Sequence, residues 1–243
     1  MATERPTVPW GLGTVGGSVL ISGFVGLVVA AAVLGAFRAF FNHHVLAADL
    51  ISYQFLVAGV LLSAVLLILV RYEQGGSELG YRLPNAGKAI GAALLGLLIA
   101  IIGIVVIYNV FDALLPQFNL HGNAKQLFTG LPKHPAAIKE VVLGLWVSVE
   151  APIAEETLFR GIIFQGVRRF FDDWLPYQVS VLLGAIVSGT IFGLAHGELH
   201  TLPILIFLGI VLAYVFQISR SIFASMLLHG LFNFVAFSGT FLS

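Results

Sequence analysis

Hydrophobic and polar positions divide the chain into long apolar blocks joined by short polar connections. Six blocks carry no charged residue: Gly17–Phe37, Leu50–Val70, Ala89–Phe111, Gln178–Ala195, Leu202–Ile218 and Ile222–Leu242. Helices of that length, rising about 1.5 Å per residue, cross roughly 30 Å of hydrocarbon. A seventh block, Ala136–Phe171, is apolar but interrupted by Lys139, Glu140, Glu150, Glu155, Glu156 and Arg160. None of the blocks shows the two-residue alternation of a membrane barrel strand. The pattern predicts an all-α, polytopic transmembrane helical bundle of seven helices, or eight if the long fourth one breaks. The expected layout is an N-terminal tail over 1–16, three transmembrane helices over 17–111, a loop over 112–135 and a polar-bearing core over 136–243. The first block does not read as a cleavable signal, because it is long and follows a mixed segment with Glu4 and Arg5.

Composition agrees with that reading. Of 243 residues, 58% are hydrophobic and 10% charged, against about half and a quarter in soluble domains. Twelve basic residues balance twelve acidic ones without a basic block, so no nucleic-acid partner is expected. The chain has no Cys, which excludes thiolate metal sites, disulfides and Cys nucleophiles. With the N-terminus inside, Lys and Arg fall mostly on the inner side. Trp10 and Trp174 read as interfacial anchors. The lipid bilayer is the expected surrounding, and a short-loop chain of this kind points to a prokaryotic plasma membrane.

The candidate chemistry lies where the sequence works against its own solvent. An ionisable group at bilayer depth costs at least ~2.5–3.5 kcal/mol on insertion scales. Within the interrupted block, Glu155 and Glu156 are adjacent, and Arg160 follows Glu156 by four residues, the favourable order for a helical ion pair. Glu155 then points about 100° away. Arg160 can neutralise one carboxylate and leave the other free. A free carboxylate in a low dielectric holds a proton more readily than in water and suits proton transfer near neutrality. A structural ion pair would account for Glu156 and Arg160 alone. Two further polar islands change the balance. One apolar block ends Phe192-Gly193-Leu194-Ala195-His196, and the last holds His229 and Asn233 four apart on one face. A helical run from Glu155 to Phe171, a turn over Asp172–Tyr177 and a return to His196 cover about 24 Å down and 27 Å back, so the islands can meet. Glu150, five residues before Glu155, is a candidate accessory that lines the cavity or pairs with a base.

Glu155-Glu156-x-x-x-Arg160, Phe192-x-x-x-His196 and His229-x-x-x-Asn233, in that order, resemble the three motifs of the CPBP family. These are the CAAX proteases and bacteriocin-processing enzymes, also called the Abi or type II CAAX prenyl endopeptidase family, with Ras-converting-enzyme-like and lysostaphin-resistance-like members. The resemblance covers roughly Ala136–Phe237. It implies an intramembrane endopeptidase acting on a membrane-associated or lipidated peptide or protein. Glu155 with His196 would hold and deprotonate the attacking water. His229 and Asn233 would stabilise the oxyanion, and Glu156 with Arg160 would orient Glu155. Residue types agree, since hydrolysis needs a base, a positioned water and donors aimed at developing charge. Glu155, His196 and His229 could also hold a divalent metal such as zinc. Metal-free glutamate catalysis is preferred, because no His-Glu-x-x-His pair occurs. A non-catalytic scaffold or immunity-type protein of the same family is the alternative. A proton-relaying transporter fits less well, because the first three blocks hold no charged residue or His and no repeat is visible.

Overall fold

A computed structural model describes residues 8, 10–17, 20, 28, 76–114, 144–197 and 201–241. Six α-helices stand among them: α1 (Ala86–Leu114), α2 (Ala151–Glu156), α3 (Gln165–Asp172), α4 (Tyr177–Ala195), α5 (Leu202–Ser219) and α6 (Ile222–Phe241). Two wide helical segments with i→i+5 bonding interleave with the short ones, π1 (Trp146–Glu150) and π2 (Thr157–Phe164). The described chain is helical without strands, as the apolar blocks predict. Helices α1, α4 and α5 are long and apolar enough to cross a membrane, and α6 adds a shorter apolar stretch over Ile222–Ser238. Of the loop expected over 112–135, residues 112–114 are the last three of α1, a correction to its start; its remainder, the expected span over 50–70 and all but three residues of the span over 17–37 lie outside the described residues, so the count of seven or eight is not carried by this structure. Within the described residues the long fourth block does not break. It runs from Trp146 to Asp172 as one rod that changes register.

Each boundary has a local cause. Asn85 Oδ1 accepts the Lys88 N–H at 2.8 Å and caps α1. Ala89, Ala93, Gly96 and Ala100 then form the buried, small-residue face of α1. A Cβ on Gly96 would meet Leu228 and Val215, so this face lies against α5 and α6. Arg168 pairs with Asp172 at 2.8 Å at the end of α3. Pro176 then starts α4 and completes the expected hairpin. Gly197, at φ 72, takes the left-handed position after α4 and leaves His196 at its C-cap.

Small residues set how closely the helices approach. A Cβ on Gly209 of α5 would lie 2.7 Å from the Gly189 Cα of α4, and one on Gly189 would lie 2.8 Å from the Ile206 carbonyl. A Cβ on Gly230 of α6 would overlap the Ser148 carbonyl oxygen of π1. That contact is to backbone and cannot be relieved by a rotamer change. Gly230→Ala is therefore expected to lower stability by about 1–3 kcal/mol, measured by denaturant unfolding in mixed micelles.

Trp10 departs from its expected place. It is fully buried, and its indole donates to the Ile162 carbonyl at 3.3 Å. The wide turns of π2 free carbonyl groups that a side chain can reach. Trp174, by contrast, is exposed at the hairpin tip.

Candidate active site

The carboxylates sit where α2 passes into π2. Thr157 Oγ1 donates to the Ile153 carbonyl at 2.6 Å at this junction, a back-bond that competes with the regular ladder. Carbonyls of π2 find partners elsewhere. Ser188 of α4 donates to Phe159 O at 2.9 Å, and Gln165 Nε2 donates to Gly161 O at 2.8 Å. These bonds hold the rod in its wide register just beyond Glu155 and Glu156.

Glu156 and Arg160 are fully buried and paired at 2.9 Å, as their spacing predicts. The second guanidinium arm, Nη2, donates to the Gly209 carbonyl at 3.1 Å. The guanidinium lies 4.8 Å from the centroid of the Phe192 ring, a desolvated cation–π contact. Glu156 Oε1 lies 2.8 Å from His229 Nδ1, so the pair also holds His229.

His196 is held by its own helix. Its Nδ1 lies 2.8 Å from the Phe192 carbonyl. A carbonyl only accepts, so Nδ1 carries the hydrogen and a neutral ring presents its Nε2 lone pair. The Glu156 carboxylate assigns the same tautomer to His229. Phe192 organises both rings, with centroids 4.6 Å from His196 and 5.6 Å from His229.

Both Nε2 atoms face one oxygen. Glu155 Oε2 lies 3.9 Å from His196 Nε2 and 3.9 Å from His229 Nε2. That oxygen is buried and makes no hydrogen bond. One carboxylate oxygen and two imidazole nitrogens thus converge on one point. A water molecule placed there can donate its two hydrogens to acceptors of this set, and accept from an imidazole whose Nε2 carries a hydrogen. Tetrahedral zinc, with bonds of about 2.0–2.1 Å, draws its ligand atoms to roughly 3.3 Å of one another. The observed spacing is wider, and no group of three His, Asp or Glu able to hold a metal occurs among the described residues. The metal-dependent reading is not supported by this geometry.

Asn233 stands slightly apart. Its amide donates to the Val147 carbonyl at 2.9 Å, tying α6 to π1 and leaving one amide hydrogen for other partners. Glu150 is half-buried, and its Oε2 is enclosed without a hydrogen-bond partner. The structure therefore brings Glu155, Glu156, Arg160, His196 and His229 into one cluster, with Asn233 at its edge. Sequence reasoning missed Tyr81, whose hydroxyl lies 2.6 Å from Thr157 Oγ1. No periodicity or motif links positions 76 residues apart.

Fold and site together define an integral, multi-pass helical membrane protein with a carboxylate–imidazole cluster enclosed among its helices. Residues 137–235 match the family described as Type II CAAX prenyl endopeptidase Rce1-like. The resemblance carried by the three motifs is thereby shown for that segment, which contains every candidate site residue. No curated protein and no solved structure matches the chain.

Proposed function

We propose that the protein is an intramembrane endopeptidase that hydrolyses a peptide bond of a membrane-associated or lipidated substrate with a water activated by Glu155. The observation that carries this reading is the buried, unpartnered Glu155 Oε2 flanked by two imidazole Nε2 atoms at 3.9 Å. The water sits among these three atoms. Glu155 takes its proton as the oxygen attacks the scissile carbonyl, then passes it to the leaving nitrogen. His196 holds the water through its Nε2 lone pair. His229, when protonated at Nε2, donates to the oxyanion, and Glu156 at its Nδ1 balances the charge as the acid of a Ser-His-Asp triad does. The free amide hydrogen of Asn233 is a second donor. The surrounding apolar helices exclude bulk water and strengthen each of these interactions. The Rce1-like match favours lipidated C-terminal peptides as substrates.

The test is cleavage of lipidated and unlipidated peptides by the protein purified in detergent. His196→Gln is expected to lower the rate about a hundredfold, because the water loses its second acceptor. Addition of a strong chelator is expected to leave the rate within twofold of the untreated enzyme (about 0.4 kcal/mol on the barrier). Equal cleavage by Glu155→Ala overturns the assigned base. Absence of cleavage by the wild type favours the scaffold reading.

A further inference from the structure

The turn before α1 lies outside the matched segment, yet it bonds to the rod that carries the carboxylates and to the start of the helix that carries His229. Residues 76–82 form a tight, partly buried turn, with the Tyr81 N–H on the Gly76 carbonyl at 2.9 Å and Gly80 at φ 95. On one side, Tyr81 reaches Thr157, and Gln165 Nε2 donates to the Glu78 carbonyl at 2.8 Å. On the other, the Gly80 carbonyl accepts the Ile222 N–H at 2.9 Å, and Arg82 Nε donates to the Arg220 carbonyl at 3.2 Å. Ile222 is the first residue of α6, two turns before His229. Gly80 is required here, because a Cβ would both overlap the Phe216 ring and oppose the positive φ.

Directions of donation give the contact its meaning. The single Thr157 hydrogen goes to the Ile153 carbonyl at 2.6 Å. The Tyr81 hydroxyl is therefore the donor to Thr157 Oγ1. It polarises that hydroxyl and fixes its rotamer at the residue directly after Glu156, where the helix widens. We infer that residues 76–82 are a positioning brace for the site, and that Tyr81, acting through Thr157, sets the register of Glu155 and Glu156 against His229. The inference rests on the proposed peptidase reading for its kinetic consequence only. Its structural consequence stands independently.

Tyr81→Phe keeps the ring and its edge contact with Phe223, whose centroid is 5.8 Å away, so the turn stays folded. It is expected to lower kcat about tenfold with KM unchanged, the signature of lost alignment. Thr157→Val has a similar effect, and the double variant is no worse than either single one, because both break one chain of bonds. In protein labelled with 15N-histidine, Tyr81→Phe moves the imidazole resonances of His229 and His196, assigned by single His→Gln variants. Unmoved resonances overturn the brace whether or not a substrate is cleaved. Wild-type kcat in Tyr81→Phe, or losses that add in the double variant, overturn it as well. Glu155→Gln in the same assay separates the two claims. Cleavage by that variant at the wild-type rate overturns Glu155 as the base, while the resonances still decide the brace.

Discussion

Glu155→Gln is expected to lower kcat by roughly a hundredfold to ten-thousandfold while leaving KM and the unfolding transition nearly unchanged. The split follows from the contacts of this side chain. Its Oε2 makes no hydrogen bond and approaches the two imidazoles only to 3.9 Å. No hydrogen bond of the fold is lost with that oxygen's charge, and its ion-pair contacts are long, so the cost to stability is small. The amide has the size of the carboxylate but accepts no proton, so the loss falls on the chemical step. Rates at saturating peptide and a denaturant titration on the same preparation measure both halves. A large drop in stability with a modest drop in kcat identifies Glu155 as a structural acid instead.

Arg160→Ala produces the opposite balance. The guanidinium is fully enclosed, bonds Glu156 and the Gly209 carbonyl, and covers the Phe192 face. Its removal leaves a buried carboxylate without a counter-ion, which costs about 3–5 kcal/mol. The buried carbonyl of Gly209 also loses a donor. Most of the protein is expected to unfold or fail to insert, and the remainder to be inactive because Glu156 no longer holds His229. Arg160→Lys separates charge from shape. A lysine restores the counter-ion but cannot bridge Glu156 and Gly209 as a fork. It is expected to recover most of the stability and little of the rate. Full activity in Arg160→Lys shows that the charge alone is needed.

The helical class and the polar positions that cluster were legible in the sequence for one reason. In a membrane a polar residue costs enough to mark itself, so Glu155, Glu156, Arg160, His196 and His229 stood out against apolar neighbours. Helical periodicity then paired Glu156 with Arg160 correctly and brought the hairpin carrying His196 back to the right depth. Periodicity failed where the helix changes register. The widening over Thr157–Phe164 interrupts the 3.6-residue repeat, and the contact of Glu156 with His229 comes from the packing of another helix. The widening depends on carbonyl partners from Ser188, Gln165 and Trp10. Trp10 looked like an interfacial anchor because a buried Trp and a surface Trp have the same local sequence. Tyr81 and the close approach of Gly209 are products of tertiary packing, which no pattern along one chain encodes.

The central claim is that a water held between Glu155, His196 and His229 is the nucleophile. A single turnover in H2(18)O tests it most directly, with the isotope read by mass spectrometry in the new peptide carboxylate and in the enzyme peptide containing Glu155. The account predicts one 18O in the product and none in Glu155. Label in the Glu155 carboxylate would reveal direct attack by the acid and an anhydride intermediate, and would contradict it.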